Sequence, residues 1–342
     1  MSPHELRDKI AEAACELGFH AFGVAAVGDN DDPVRLYEWL TAGYQASMGW
    51  MARNAERRAD IRHVMPGARS VISLAINYKT PESPDDCCGS WKVARYAWGE
   101  DYHRVLGRKL RELERRLREW APDHEWRSHT DTGPVMEKAW AERAGLGWIG
   151  KNTCLITRSL GSWVFLAEVI TTAELPADQP HTDFCGSCTR CLDACPTDAF
   201  PEPYVLDANK CISYWTIEHR GPIPHEIAHN ADGWIFGCDI CQDVCPWNKF
   251  GVPTDEEAFA AREDCVNPPV ERWKELTDEE FREEFADSAI RRAKPEGLRR
   301  NIEVQEDENL RRIIGSAGWE GEHPVPEISL DAHSGVPHDL VK

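Results

Sequence analysis

Two cysteine runs constrain this chain more than any other feature. The first reads Cys185-x2-Cys188-x2-Cys191-x3-Cys195-Pro196, and the second Cys238-x2-Cys241-x3-Cys245-Pro246. The first is the spacing with which bacterial ferredoxins hold [4Fe–4S] cubanes. Three thiolates on one tight loop take one cubane, and the fourth, before Pro, reaches the neighbouring one. The second run has the last three cysteines of that pattern, with Ile235 where the first would stand. Exchange between the runs assigns Cys185, Cys188, Cys191 and Cys245 to one cluster and Cys195, Cys238 and Cys241 to the other. An eighth ligand is needed, and Cys211, between the runs, is expected to supply it, with Cys265 as the alternative. Zinc also binds CxxC pairs, but it does not require this run twice. Residues Cys15, Cys87, Cys88 and Cys154 read as ordinary thiols, as does Cys265 if Cys211 is the eighth ligand. Clusters of this kind move electrons one at a time, so the chemistry is expected in the long segment that precedes them.

Thirteen cysteines without an apolar signal core at the N-terminus (MSPHELRDKI) read as metal ligands rather than disulfides. No apolar run approaches the ~18 residues of a membrane span, so no membrane partner and a cytoplasmic location are expected. A formal net charge of −20 argues against general nucleic-acid coating. Any such contact needs a local basic patch.

The N-terminal part reads as α/β. Ser2-Pro3-His4-Glu5 matches a capping box, opening a helix with Leu6, Ile10, Ala13, Ala14 and Leu17 on one face. Strands are expected over 21–27 and 69–78, a helix over 33–41, and a long helix with a basic, solvated face that carries Leu106 to Trp120. A strand over 125–130 ends at Asp131-Thr132-Gly133-Pro134. A helix over 135–144 and strands over 154–157 and 163–171 follow. Residues 176–180 read as a linker and 181–250 as the cysteine module. From 251 the pattern is acidic and helical, ending in a Gly-, Pro- and His-containing tail expected to be disordered. The fold class is therefore α+β. An α/β domain over 1–175, a two-cluster ferredoxin-like module over 176–250 and a short helical region over 251–342 are expected.

Gly145-x-Gly147-x-x-Gly150 spells a dinucleotide fingerprint, and Gly145-x4-Gly150-Lys151 nearly spells a phosphate loop. A helix precedes this segment and a strand follows, the reverse of what those motifs need. The glycines are instead expected to admit some other large ligand. Asp101-Tyr102-His103-x3-Gly107 is one residue too long for the cobalt-ligating box of one class of cobalamin proteins. The simpler expectation is that Asp101 caps the following helix.

Around the cysteines, Asp131-Thr-Gly-Pro134, Lys138-x5-Ala144-Gly-Leu-Gly-Trp-Ile-Gly-Lys151, Cys211-Ile-Ser-Tyr214-x-Thr-Ile-Glu218 and Gly237-Cys-Asp-x-Cys-Gln-x-x-Cys-Pro-Trp-Asn248 resemble the epoxyqueuosine reductase family. So do Trp50-Met-Ala-Arg53, Arg95-Tyr96 with Asp101-Tyr-His103, and Ser288-Ala-Ile-Arg-Arg292. The resemblance spans roughly residues 5–302. It implies a nitroreductase-like, cobalamin-binding N-terminal domain, and cobalamin with two [4Fe–4S] clusters as cofactors. It implies a monomer that takes electrons from an external low-potential donor and reduces epoxyqueuosine to queuosine in a tRNA anticodon loop. By the same resemblance Asp131 is the proton donor. Arg53, Tyr96, Asp131, Leu155, Leu166, Ser213, Cys238 and Asp239 contact cobalamin, and Glu218 faces the substrate.

To donate at neutral pH, the Asp131 carboxyl needs its pKa raised by burial or by negative charge nearby. Residues 286–301 carry a basic stripe of Arg291, Arg292, Lys294, Arg299 and Arg300, expected to position RNA phosphates. Trp215 is expected to stack on an unpaired base. After Asn301 the family continues into HEAT-like helices, whereas this chain turns acidic (EVQEDENL). The family also resembles reductive dehalogenases, which leaves reduction of a small epoxide or halide as an alternative. A non-catalytic electron carrier is the other.

Overall fold

The computed structural model describes residues 1–83 and 91–316. Eight strands form among them: β1 (Ala21–Ala26), β2 (Ser70–Asn77), β3 (Lys92–Val93), β4 (Trp126–His129), β5 (Trp148–Ile149), β6 (Leu155–Ile156), β7 (Val164–Thr171) and β8 (Trp234–Phe236). The helices that position the site are α1 (Pro3–Glu16), α2 (Asp32–Thr41), α3 (Gly49–Arg53), α4 (Ala55–Ala59), α5 (Tyr102–Trp120), α6 (Glu137–Arg143), α7 (Arg190–Asp193) and α8 (Ile212–Ile217).

The main sheet runs β1-β2-β7-β4, and each of its three pairings is antiparallel. The N-terminal part is thus mixed helix and sheet, not the parallel arrangement that an α/β reading implies. Apolar periodicity marks the strands but carries no information on their direction. Every residue of β2 is buried, because helices cover both faces, and its sequence is accordingly a near-continuous apolar run. On one face, Ile10 of α1 and Leu106, Leu113 and Leu117 of α5 pack on Ile72, Leu74 and Val169. On the other, Trp140 and Ala141 of α6 pack on Val71, Ala75 and Ile170.

Local signals set the helix starts. Ser2 and Glu5 form both bonds of a capping box at α1, and Asp101 accepts the His103 N–H at 3.0 Å to cap α5. The outer face of α5 is laced with ion pairs, including Arg108–Glu100 at 2.6 Å and Arg116–Glu16 at 2.7 Å. The glycines after α6 do not admit a ligand: a Cβ on Gly145 or Gly147 would strike the backbone carbonyl of Gln179 or Ile156. They allow protein backbones to close on each other.

A second core gathers Trp98, Phe236, Trp273, Phe281, Ile290 and Leu298. It joins the segment after β3, strand β8 (parallel to β3) and the C-terminal helices. The acidic text after Asn301 continues one helix, Lys294–Ser316. Glu306 there pairs with Lys274 at 2.7 Å, and buried Glu308 meets His229 at 3.1 Å. Residues 317–342, where a disordered tail is expected, and Cys87 and Cys88 lie outside the described residues. Among those described, no helix is long and apolar enough to cross a membrane.

Candidate active site and cluster ligands

The cysteine module gathers its thiols into two sets. Cys191 lies within electrostatic reach of Cys245 and Cys185, and Cys245 within reach of Cys185 and Cys188. Cys238 senses Cys211 and Cys195, and Cys241 senses Cys238 and Cys211. Cys265 is elsewhere, buried in the second core. Among the described residues no three His, Cys, Asp or Glu side chains converge on a point suited to a single ion. N–H groups are aimed at the sulfurs. The Ala199 amide donates to Cys195 Sγ at 3.3 Å. Backbone amides of Tyr214 and Ser213 serve Cys211, that of Ile240 serves Cys238, and that of Trp247 serves Cys245. The Lys151 amide serves Cys185. Such donors stabilise thiolate charge on cluster ligands, so this donor set fits iron–sulfur clusters. Cys154 adds a thiol within electrostatic reach of Cys241 and Cys211 and also of Cys245, its Sγ 3.8 Å from Gln242 Oε1.

Asp131 follows β4 in a left-handed conformation, φ 52°, which aspartate tolerates better than most residues. The turn brings its carboxylate under α5. Tyr102 Oη donates to Asp131 Oδ2 at 2.6 Å, and His103 Nε2 lies 3.1 Å from the same oxygen. His103 Nδ1 lies 2.7 Å from Asp101 Oδ1, and the Asp131 N–H donates to Glu137 Oε1 at the start of α6. Asp131 sits in an open recess with 56% of its side chain exposed.

Loss of hydration in that recess pushes its carboxyl up. The hydrogen bonds from His103 and Tyr102, and the His103 charge, outweigh this and hold it below its ordinary value. This corrects the expectation of a raised Asp131. Burial opposes the charge on His103, but bonds to Asp101 and Asp131 prevail and carry its pKa up to about 9. At neutral pH the transferable proton of the pair therefore rests on His103. The Asp101-Tyr102-His103 text held the signal for Tyr102 and His103, but nothing in it announces their contact with Asp131.

Tyr96 ties this recess to the cysteine module. It is partly buried, its ring centroid 6.3 Å from that of Tyr102 and 5.8 Å from that of Phe236. Its hydroxyl senses Asp131, Glu218 and Asp239 together. Asp239, buried next to Cys238, accepts the Arg95 N–H at 2.8 Å. Burial pushes its carboxyl up to about 7 against the pull of Arg95. Ser213 is in the first turn of α8. Glu218, at the end of that helix, holds Arg292 through two bonds of 2.9 and 2.8 Å, and that guanidinium lies 5.4 Å from the Trp50 ring centre. Leu166 is partly open on β7, and Arg53 is exposed at the end of α3. Leu155 is sunk in the core with Trp140 and Leu146.

The basic stripe divides. Arg291 and Lys294 are exposed. Arg299 donates to Leu276 O at 3.0 Å and to Asp278 at 2.8 Å. Arg300 binds the carbonyls of Trp215, His219 and Gly221 at 2.9, 3.0 and 2.7 Å. Those two arginines hold the chain together rather than present free charge. Trp215 is half-buried, its indole donating to Asn209 O at 2.7 Å.

Two family profiles match the chain: "Epoxyqueuosine reductase QueG, DUF1730" over residues 58–132 and "4Fe-4S double cluster binding domain" over 184–248. The chain is 51% identical to epoxyqueuosine reductase of Synechocystis sp. over 287 residues, 82% of this chain and 99% of that protein. Its fold is similar to that of an epoxyqueuosine reductase solved with an epoxyqueuosine-modified tRNA-Tyr stem loop (TM-score 0.83, 31% identity, 90% of this chain and 82% of that one). It is equally similar to the Bacillus subtilis epoxyqueuosine reductase, solved with an aspartate-bearing catalytic loop swung out of the active site (TM-score 0.82, 30% identity, 90% and 82%).

Proposed function

This chain belongs to the epoxyqueuosine reductase family, and on that premise we propose that it reduces epoxyqueuosine in a tRNA anticodon loop to queuosine. One observation carries the reading: Tyr96 packs against Tyr102, which holds Asp131, and against Phe236 of β8, with its hydroxyl in the field of Asp131, Glu218 and Asp239. This supports one shared site for a candidate proton donor, a substrate-side carboxylate and the residue beside a cluster cysteine.

Cys185, Cys188, Cys191 and Cys245 would hold one [4Fe–4S] cluster, and Cys195, Cys211, Cys238 and Cys241 the second. The two thiol sets and the N–H groups aimed at them support this. Tyr96, Asp131, Ser213, Cys238 and Asp239, with Arg53 and Leu166 at the edge, would hold cobalamin between the N-terminal part and the cysteine module. Bound there, it supplies a low-potential, nucleophilic metal centre. Leu155 supports that surface from within the core. An external low-potential donor feeds the clusters, and the enzyme works as a cytoplasmic monomer divided near residues 175 and 250.

This chain's own residues handle substrate and proton. Glu218, fixed by Arg292, faces the substrate, and Trp50 and Trp215 offer rings to an unpaired base. Asp131 and His103 share the proton delivered to the epoxide oxygen, with Tyr102 fixing the carboxylate. The aspartate-bearing catalytic loop of the Bacillus subtilis relative supports that role for Asp131.

The test is anaerobic conversion of epoxyqueuosine-bearing tRNA by the reconstituted protein, with and without cobalamin, read by mass spectrometry of the nucleosides. Cobalamin-dependent queuosine is expected. Turnover of small epoxides or halides in place of tRNA would overturn the reading.

A further inference from the structure

Behind the Asp131 loop the sheet carries a carboxyl without a partner. Glu168 lies within β7, 0% exposed, and neither of its oxygens has a hydrogen-bond partner among the described residues. Its register partners are Ser73 on β2 and His129 on β4. The three side chains therefore leave the same face of the sheet, Glu168 between the other two, with Cβ atoms of paired residues roughly 5 Å apart. Ser73 Oγ and His129 Nε2 are likewise buried and unpartnered among the described residues. An ionised carboxylate in such a place is strongly disfavoured, whereas a neutral acid is tolerated.

The surrounding charges reinforce this. Burial, then Glu137 and Asp131, hold the Glu168 carboxyl well above its ordinary value. Glu137, the first residue of the α6 helix that covers this face, is pushed up to about 7 by burial and by Asp131. Arg58 and Lys138 pull Glu137 down without overcoming burial and Asp131, and the hydrogen bonds of the nearby cations go to backbone carbonyls. Arg58 of α4 donates to the Gly133 and Val135 carbonyls, both at 3.4 Å. Lys138 of α6 donates to Thr153 O at 2.8 Å, and Arg127 of β4 to Val64 O at 2.6 Å. Burial keeps His129 neutral at pH 7, and its imidazole lies against Gly133, where a Cβ would collide with it. On its far side Asp131 faces Tyr102, His103 and Arg292.

The chemistry gives this cluster a task. Removing an epoxide oxygen breaks two C–O bonds, forms a C=C bond and releases water. It takes two electrons, from the low-potential donor, and two protons, both onto the same oxygen. The Asp131–His103 pair holds one transferable proton at neutral pH. We propose that Glu168 and Glu137 hold the second and recharge Asp131 within the same turnover, with His129 linking β7 to the Asp131 loop. The proposal rests on epoxyqueuosine reduction as the function.

The first measurement is an infrared difference spectrum of the holoenzyme at pH 7, in H₂O and D₂O, for wild type and Glu168→Gln. A protonated-carboxyl band that shifts in D₂O and is absent from the variant is expected; no such band in wild type would overturn the proposal. The second is single-turnover reduction of an epoxyqueuosine-bearing stem loop across pH 6–9. Wild type is expected to slow as pH rises through about 7, and Glu168→Gln and Glu137→Gln should each slow the reaction at least tenfold and remove that fall. A purely structural role would leave the pH profile in place. Wild-type rate and profile in Glu168→Gln sink the proton store alone, whereas a wild type that converts no substrate sinks the function with it. If Glu168→Gln does not fold, glutamate isotope labelling assigns the wild-type band, and a Glu137→Gln variant that keeps the step near pH 7 overturns the proposal.

Discussion

A proton resting on His103 rather than on Asp131 decides what substitutions at these residues should do. Asp131→Asn keeps the hydrogen-bonding shape but removes the carboxylate charge that faces His103 and the group that can carry the proton. Turnover should fall by about 10²–10⁴, with iron content and bound cobalamin unchanged. His103→Gln removes the cation that holds Asp131 down. Its rate should drop on the order of 10²-fold, and the loss of wild-type activity above about pH 9 should disappear.

Stability follows the same linkage. The folded pKa of His103, about 9, lies above its unfolded value of about 6.5. The stabilisation is therefore complete below about pH 6.5 and lost as pH rises through 9. Melting temperature across pH 7–10 should fall less steeply in His103→Gln than in wild type; equal slopes would remove the ion pair. Asp131 was legible in the sequence because it stands in a recognisable text at a strand end. The direction of its pKa was not, because His103 lies 28 residues away and meets it only when α5 crosses the end of β4.

Among the elements, the helices and the longer strands were the legible part. The capping box at Ser2, the apolar stripe of α5 and the near-continuous apolar run of β2 each state their own structure. The antiparallel order of the sheet was not legible, since long crossings over 27–69 and 78–125 leave strand direction open. Strand β8 shows a second limit. Ile235, at the place of the missing cysteine, is 0% exposed in a strand paired with β3, so packing occupies what would be a ligand position. The proposed replacement ligand, Cys211, is the N-cap of α8. Cys211→Ser should lose one cluster, from about eight irons per chain to about four. Cys265→Ser should keep all of them, because its thiol lies among apolar side chains. Iron quantitation after anaerobic reconstitution decides, and the reverse pattern would move the eighth ligand to Cys265.

For the whole molecule the question is how a chain of net charge −20 holds an RNA. Sequence alone made a uniform stripe of five cations; the fold turns Arg299 and Arg300 inward and ties Arg292 to Glu218. Arg291 and Lys294 remain exposed, with no side-chain ion pair among the described residues, on the rim that Arg292 shares with Trp50. Two phosphate contacts at most should therefore come from this rim. Each contributes a slope of about −0.7 to −0.9 in log affinity against log salt. Reversing both charges, Arg291→Glu with Lys294→Glu, should weaken stem-loop binding by roughly tenfold or more at low salt and flatten the salt dependence by about 1.5. The melting temperature should hardly change. Arg300→Ala should behave in the opposite way. Its guanidinium ties the α8 segment and the loop after it to the C-terminal helix through three carbonyls, so its loss should cost about 2–3 kcal/mol of stability and leave the salt slope of the folded protein unchanged. Binding titrations at several salt concentrations, beside thermal melts, separate the two effects. An unchanged slope in the double reversal would mean that ring stacking and shape around Trp50 and Trp215, rather than phosphate charge, hold the anticodon loop against this acidic surface.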